Sequence, residues 1–343
     1  MKMMDISKAS KSILAGALAA ALAAGCAKEV STSTNDINKK YIEAWMSVHY
    51  PSVSPTGLGV YILDDQPGTG EDLTDDDYYM FVDYTATDLS GNVATTTYET
   101  LSQQVGSFDA ANYYGANVMI NNWYYTQVGI LEMMKGMKVG GTRKALIPGW
   151  LYVNESYDTA EDYLKKGDGS NSIYTITLRD KTDDITAWEI DTLSRYVAAN
   201  MAVDSTMYGY YYKTIKEPTD TAIFSADTSY WINYTGRLLN GHVFDTTIED
   251  TAKVHGIWSS SKTYSPMYVT MSDEYTSITI SSNATSSGST TVDGFSYCLS
   301  KMRPFEKGVC AFYSLLGYGY DGSGSTVPSF APLVFEIEVV DEP

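Results

Sequence analysis

The sequence is poor in positive charge and in histidine, and each shortage excludes a class of protein. Its 343 residues include 23 Lys and Arg against 42 Asp and Glu, which gives a formal net charge of −19. Since nucleic acids and anionic lipid headgroups attract basic surfaces, we expect neither as a partner. Only three His occur, at positions 49, 242 and 255, and none has the spacing of a metal ligand set. We therefore expect no metal site and no transition-metal chemistry.

The chain also lacks an apolar run long enough for a stable membrane span. Its most apolar stretch is the Ala-rich segment Ile13 to Ala24, which follows Lys2, Lys8 and Lys11. A short apolar run behind a basic start is typical of a signal peptide, and we assign residues 1–25 to one.

The end of this segment, Leu22-Ala-Ala-Gly25-Cys26, resembles a bacterial lipobox. The resemblance implies that Cys26 is lipidated and becomes the mature N-terminus, so that the protein is exported to the cell envelope and anchored, with the outer membrane expected. The alternative is an ordinary secretory signal cut near Ala24, which gives the same compartment without an anchor. The polar residues 26–40 then predict a flexible tether.

Hydrophobic residues are abundant at 44%. The 29 Tyr predict strands with one apolar face and one solvent-exposed face. Residues 82–97, VDYTATDLSGNVATTT, return 150 positions later as INYTGRLLNGHVFDTT at residues 232–247. This repeat and the chain length predict two domains. The copies differ where Phe244 and Asp245 replace Ala94 and Thr95, so one copy is the candidate for activity.

The repeat extends over each half in the same order of elements, with an offset that grows from 150 to 165 residues. The extra residues fall in the Ser/Thr-rich segment 259–291, which predicts an elaborated loop or an added hairpin. The paired predictions are helices at 37–48 and 191–201, strands at 59–63 and 209–213, short helices at 128–135 and 292–301, and closing strands at 173–178 and 333–339.

Several motifs, taken in order, resemble the FKBP family of peptidyl-prolyl cis-trans isomerases. The second half has Tyr234-Thr235-Gly236, Asn240-Gly241-His242-Val243-Phe244-Asp245, Tyr318-Gly319, Val327-Pro328 and Leu333-Val334-Phe335-Glu336, and the first half has Gly136-Met137-Lys138-Val139-Gly140-Gly141 and Ile147-Pro148. The resemblance covers most of residues 41–343. It implies an α+β fold of two tandem domains, each a half-open antiparallel β-sheet wrapped on a short α-helix.

The resemblance also implies which half is active. Residues 184–343 would form a domain with an intact-looking pocket, and residues 41–183 a degenerate one. Such a pocket needs no cofactor, because rotation of an X-Pro bond requires only a dry aromatic cleft that prefers the twisted amide. The expected substrates are X-Pro-containing polypeptides or unfolded envelope proteins.

By family correspondence, the second half supplies every group that such a pocket requires. The expected aromatic walls are Tyr234, Phe244, Phe295 and Phe335, with Phe295 where the family usually has Trp. Val292 would offer a backbone N–H, Tyr318 a hydroxyl and Asp245 a carboxylate to the substrate. Met267 and Val327 would line the rim. Taken singly, each aromatic residue is as typical of a core, and Asp245 is as typical of a loop brace.

In the first half most of these groups are replaced. Tyr84 is kept and Tyr174 corresponds to Phe335, but Ile130 corresponds to Phe295 and Val153 to Tyr318. Tyr152 is an alternative for the missing tyrosine. We expect this domain to be catalytically silent.

Cys298 and Cys310 remain after Cys26, and in an oxidising envelope they form either a disulfide or two small buried thiols. Two other functions stay open beside a lipid-anchored isomerase that assists protein folding. One is a non-catalytic FKBP-like chaperone or binding module, and the other is a surface lipoprotein that binds a protein or a glycan through residues 259–291.

Overall fold

Two antiparallel sheets of six and nine strands organise the protein, as seen in a computed structural model that describes residues 34–76, 78–167, 169–220, 222, 224, 228–271, 278–281 and 289–342. The first half contributes β1 Tyr61–Gln66, β2 Tyr79–Thr87, β3 Val93–Thr96, β4 Asn117–Ile120, β5 Thr142–Ile147 and β6 Ser172–Thr182. The second half contributes β7 Ser205–Met207, β8 Tyr210–Lys216, β9 Ser229–Leu238, β10 Val243–Thr246, β11 Met267–Met271, β12 Ile278–Ser281, β13 Ser289–Thr290, β14 Lys307–Phe312 and β15 Leu333–Val340.

Seven α-helices accompany the sheets in the described residues. They are α1 Thr34–His49, α2 Glu99–Val105, α3 Val128–Met134, α4 Ala160–Lys166, α5 Ile185–Asn200, α6 Glu249–Val254 and α7 Asp293–Lys301. No helix in this part of the chain is both long and apolar enough to cross a membrane. The predicted α+β class, with antiparallel sheets and few helices, is confirmed.

The two sheets repeat one topology. The first has the order β1-β5-β6-β2-β3, with β4 also on β2, and the second contains β8-β14-β15-β9 with β10 and β11 both on β9. In each half a short helix packs on the sheet and closes a hydrophobic core. This helix is α3 in the first half and α7 in the second. Alternation along β15, where Phe335, Ile337 and Val339 are buried, shows the two-residue period that the sequence predicted.

The extra residues of the second half form additional strands. β11 pairs with β12, and β12 pairs with β13, which extends the sheet beyond the position where β4 ends the equivalent part of the first half. The segment therefore contains an added hairpin, the second of the two predicted possibilities. Residues 272–277 and 282–288 lie outside the described residues.

The predicted tether, residues 26–40, is too long at its C-terminal end. α1 begins at Thr34, so residues 34–40 are helical. The side chain of Asn35 is buried and donates hydrogen bonds to the carbonyl oxygens of Leu164, at 2.9 Å, and Gly167. These long-range bonds fix the start of the helix, and they involve residues far along the chain that a local pattern does not indicate. The signal peptide, Cys26 and residues 27–33 lie outside the described residues.

Candidate active site

The repeated segment forms the same two-stranded hairpin in both halves. The backbone N–H of Tyr234 donates to Thr247 Oγ1 at 2.9 Å, and the N–H of Tyr84 donates to Thr97 Oγ1 at the same distance. The hydroxyl oxygens of Thr235 and Thr246 lie 3.0 Å apart, as the equivalent pair in the first half do at 2.9 Å. A common backbone scaffold thus presents different side chains.

Both hairpins contain a β-bulge at the position that distinguishes them. In the second half the pairing passes from Val243 to Asp245 and leaves out Phe244; in the first half it leaves out Ala94. A bulge changes the direction of the unpaired side chain, and bulges are often found beside active sites. The backbone therefore presents one selected side chain in each half, an aromatic ring in the second and a methyl group in the first.

Five aromatic side chains of the second half meet in one cluster. The ring centroid of Phe335 lies 5.1 Å from that of Phe295, 5.6 Å from that of Phe244 and 6.1 Å from that of Tyr234. The rings of Tyr234 and Phe295 are 5.5 Å apart, and those of Phe244 and Tyr318 are 6.4 Å apart. Most of these pairs meet edge to face, which is a favourable geometry. Phe295 and Phe335 are buried, and the other three are partly exposed.

Gly236 is required where the Phe244 ring lies. A Cβ at this position would be 2.6 Å from Cζ of Phe244 and 2.8 Å from Cε1 of Phe335, which is closer than real atoms approach. The first half has Ala86 at the equivalent place, and the bulged residue of its hairpin is the small Ala94. The two halves therefore differ by a matched pair, Gly with Phe and Ala with Ala. The repeated segment carries this signal, because Gly236 and Ala86 stand at the same position of the two copies.

Asp245 is held by two partners at the edge of the cluster. The Tyr234 hydroxyl donates to Asp245 Oδ2 at 2.6 Å, and Lys262 Nζ forms an ion pair with Asp245 Oδ1. Burial, and then the neighbouring carboxylate, raise the pKa of Tyr234, so this hydroxyl stays a proton donor. Lys262, from the loop before β11, was not predicted, because nothing in its sequence surroundings indicates this contact.

The remaining predicted residues lie in the same hydrophobic cluster. Val292 is the N-cap of α7, and its carbonyl accepts the N–H of Phe295 at 3.0 Å. Met267 and Val292 are partly buried against the cluster, and Val327 is buried within it. The structure thus brings together all nine residues predicted for substrate contact. Their roles in binding or catalysis stay predictions.

A buried carboxylate supports the segment that carries Tyr318. Glu189 of α5 is only 1% exposed, and its carboxylate oxygens accept the N–H and the hydroxyl of Ser314, both at 2.7 Å. Ser314 opens the 3₁₀ turn Ser314–Leu316, and its carbonyl accepts the N–H of Gly319. Burial raises the pKa of Glu189 from 4.5 to about 7.

The corresponding place in the first half is a cleft of about 350 Å³, lined in part by Tyr84, Ala94 and Thr95. The hydroxyls of Tyr152 and Tyr174 lie 3.1 Å apart, and the assignment of Tyr152 to the missing tyrosine stays a prediction. Ile130 is buried in the core.

Cys298 of α7 and Cys310 of β14 are buried and are free thiols in the structure. They are hydrogen-bonded neighbours, and burial raises the pKa of Cys298 well above its ordinary value. The predicted disulfide is not formed here, and the alternative of two small buried thiols describes the site. Among the described residues, no three His, Cys, Asp or Glu are grouped so as to hold a metal ion.

The chain is similar to solved structures of one peptidyl-prolyl cis-trans isomerase and of domains of two FKBP proteins. A peptidyl-prolyl cis-trans isomerase from Pseudomonas syringae pv. tomato is 22% identical with a TM-score of 0.31, over 46% of this chain and 96% of that one. The structure of the three FKBP domains of wheat FKBP73 is 14% identical with a TM-score of 0.29, over 84% of this chain and 98% of that one. The N-terminal domain of FKBP42 from Arabidopsis thaliana is 17% identical with a TM-score of 0.30, over 41% of this chain and 92% of that one.

No family model matches the chain, and no curated protein matches it. At the TM-scores found, the likeness to solved structures identifies no function and assigns no role to any residue.

Proposed function

We propose that the chain is an FKBP-type peptidyl-prolyl cis-trans isomerase whose activity lies in its second half. The observation that carries the proposal is the meeting of four aromatic rings, those of Tyr234, Phe244, Phe295 and Phe335, beside the carboxylate of Asp245. The first half has the same backbone hairpin without the Phe and the Asp, and we propose that it is catalytically silent.

The chemistry of prolyl isomerisation fits an aromatic cluster of this kind. The barrier to rotation of the peptide bond is about 18–20 kcal/mol, and it arises from the loss of amide resonance. In the twisted amide the carbonyl and the nitrogen no longer share charge, so a cleft with few water molecules and a fixed carboxylate stabilises it more than the planar form. No nucleophile, proton shuttle or cofactor is needed.

The hydrogen bond from Tyr234 gives Asp245 a fixed orientation before substrate arrives. A carboxylate that is already oriented loses no further freedom in the transition state, and such preorganisation is a major source of catalysis. The carboxylate would face the carbonyl carbon of the residue before proline.

The test is an NMR exchange measurement of X-Pro isomerisation in a short proline peptide with the full chain. Phe244→Ala and Asp245→Thr give the second half the residues of the first, and each is expected to lower the exchange rate at least tenfold. As controls, the equivalent positions Ala94 and Thr95 are changed to Ser, with no expected effect. Wild-type protein that gives no exchange above background would exclude the enzyme.

A second candidate is a binding module that grips proline-containing chains without isomerising them. The ion pair between Lys262 and Asp245 favours it, since a neutralised carboxylate offers less to a polarised amide. Chemical-shift changes of the peptide on binding, without exchange between its cis and trans signals, would support this candidate.

We further propose that Cys26 is lipidated and that the protein assists the folding of envelope or secreted proteins. The lipobox-like segment before Cys26 supports the anchor. In a bacterial host, incorporation of a labelled fatty acid is expected for the wild type and not for Cys26→Ser. Equal labelling of both would refute it.

A further inference from the structure

A glycine-rich loop carries two of the residues predicted for substrate contact, Tyr318 and Val327. Residues 317–331 begin beside Tyr318 and include Val327, and Gly319, Gly322 and Gly324 all have positive φ, between 54° and 61°. Glycine has the largest backbone freedom, so ordering such a segment is costly in conformational entropy. The position of Tyr318 and Val327 therefore depends on what holds the loop.

Five backbone hydrogen bonds and one from the Thr326 hydroxyl lie within the loop, and four of the six join residues between positions 323 and 327. The N–H of Ser323 donates to the carbonyl of Val327 at 2.8 Å, and the N–H of Phe330 donates to the carbonyl of Gly319 at 2.8 Å. Phe330 has a φ of 57°, which is unfavourable for a residue with a side chain. Surrounding contacts must stabilise this conformation.

Part of this support comes from the first half of the chain. The N–H of Tyr113 donates to the carbonyl of Ser325 at 2.8 Å, and the Ser325 hydroxyl donates to Asn112 Oδ1. The Tyr113 ring packs against the hydrophobic core of the second half, and burial raises its pKa. One dipeptide of the first half thus bonds to the tip of the loop through a backbone N–H and a side-chain amide, while the Tyr113 ring anchors this dipeptide on the core of the second half.

Two more tyrosines of the first half hold the outer side of the loop. The ring of Tyr79 meets Phe330 edge to face at 5.3 Å, and the ring of Tyr125 meets Tyr320 at 5.5 Å. Tyr320 and Phe330 are themselves 5.8 Å apart. The residue with the unfavourable backbone is therefore packed between rings of both halves.

The loop also lies at the place where the first half lacks its pocket walls. Ser325 and Pro328 line the first-half cleft together with Ala94 and Thr95. A bulky residue at position 94 would take up space in this cleft. The loss of Phe and Asp in the first half is thus associated with a new neighbour, the loop of the second half.

We propose that the first half is a positioning element for the second: through Tyr79, Asn112, Tyr113 and Tyr125 it orders the glycine-rich loop and so fixes Tyr318 and Val327 at the pocket. This inference rests on the proposed isomerase activity for its catalytic consequence, while the ordering of the loop can be measured without any activity. The proposal gives the first half a specific role, which is to order the loop that carries Tyr318 and Val327.

The experiment compares the full chain with Tyr113→Ala and Tyr79→Ala. Amide hydrogen exchange at Ser323 and Val327 reports the loop, and the NMR exchange assay reports KM and kcat separately. We expect loop amides to exchange at least threefold faster, and KM to rise by about two- to tenfold for each lost aromatic contact, with a smaller change in kcat.

Matched variants separate positioning from a general loss of structure. Tyr113→Phe keeps the ring and is expected to behave as the wild type. Tyr41→Ala removes an exposed tyrosine of α1 that is 55% exposed, and it is expected to change neither readout. If Tyr113→Ala does not fold, Tyr79→Ala and Ser325→Ala decide the question.

The outcomes distinguish this inference from the proposed function. Unchanged loop exchange and unchanged KM in the folded variants would overturn the positioning role, even if the wild type is active. An inactive wild type whose loop exchange still rises in the variants would refute the isomerase and retain the ordering of the loop.

Discussion

Glu189 is a buried carboxylate whose replacement by Gln is expected to change how the stability of the protein depends on pH. It is 1% exposed, and its oxygens accept two hydrogen bonds from Ser314. Burial disfavours the charged form more than these bonds favour it, so the pKa rises from 4.5 to about 7. Gln has nearly the same shape and can bond to the same N–H and hydroxyl, but it does not titrate.

The sign and size of the effect follow from proton linkage. Between pH 4.5 and pH 7 the folded protein keeps the Glu189 proton while the unfolded chain loses it, so the free energy of unfolding falls as pH rises through this window. Above pH 7 both states are ionised and the fall ends. At about 1.4 kcal/mol per unit of pKa, the whole change is about 3 kcal/mol, and most of it falls between pH 5 and pH 8.

Urea unfolding of the full chain and of Glu189→Gln, in half-unit steps from pH 5 to pH 8, measures this quantity. The free energy of unfolding of the wild type minus that of the variant should fall by about 2–3 kcal/mol over the range. Glu161→Gln, at an exposed residue of α4, is the control and should give a curve parallel to the wild type. A difference that is flat, or that rises with pH, would refute the assignment of a raised pKa to Glu189.

Two further predictions concern the candidate pocket. Gly236→Ala should lower the rate of X-Pro isomerisation in the NMR exchange assay at least tenfold, because the new methyl would lie 2.6 Å from the Phe244 ring. Ala86→Gly in the first half is the control and should leave this rate unchanged. Equal rates for Gly236→Ala and wild type would contradict the role of the Phe244 ring. Lys262→Met should raise kcat/KM by up to about fivefold, since a half-exposed ion pair is worth about 0–1 kcal/mol and its loss frees Asp245; a lower kcat/KM would show instead that Lys262 contacts substrate.

The regular elements could be predicted because their signals are local and occur twice. The closing strand predicted at 333–339 is Leu333–Val340, and the short helix predicted at 292–301 is Asp293–Lys301. The α+β class followed from these elements and from the family resemblance. Helices α2, α4 and α6 have only six or seven residues, too few for a helical period to be clear, and they were not predicted. Helix α3 is as short, but it was predicted because it has the same place in its half as α7.

The contacts that position the site could be predicted only in part. The aromatic residues were identified from an ordered set of motifs, and the structure brings them together. Lys262 and Glu189 were missed because their partners, Asp245 and Ser314, are 17 and 125 residues away and no periodic pattern connects them. The hydrogen bond from the N–H of Tyr113 to the carbonyl of Ser325 was also not predicted, since it depends on how the two halves meet.

The early start of α1 has a consequence for how far the protein can extend from a membrane. Asn35 ties the helix to the first half, so Cys26 stands only eight residues before the fixed start of α1 at Thr34. At the maximum of about 3.3–3.6 Å per residue, eight residues span at most about 28 Å. A helix that began at residue 40 would allow fourteen residues from Cys26, or about 48 Å. With Cys26 in the bilayer as proposed, the first half is confined near the lipid surface, and the height of the pocket above it is determined by the contact between the halves.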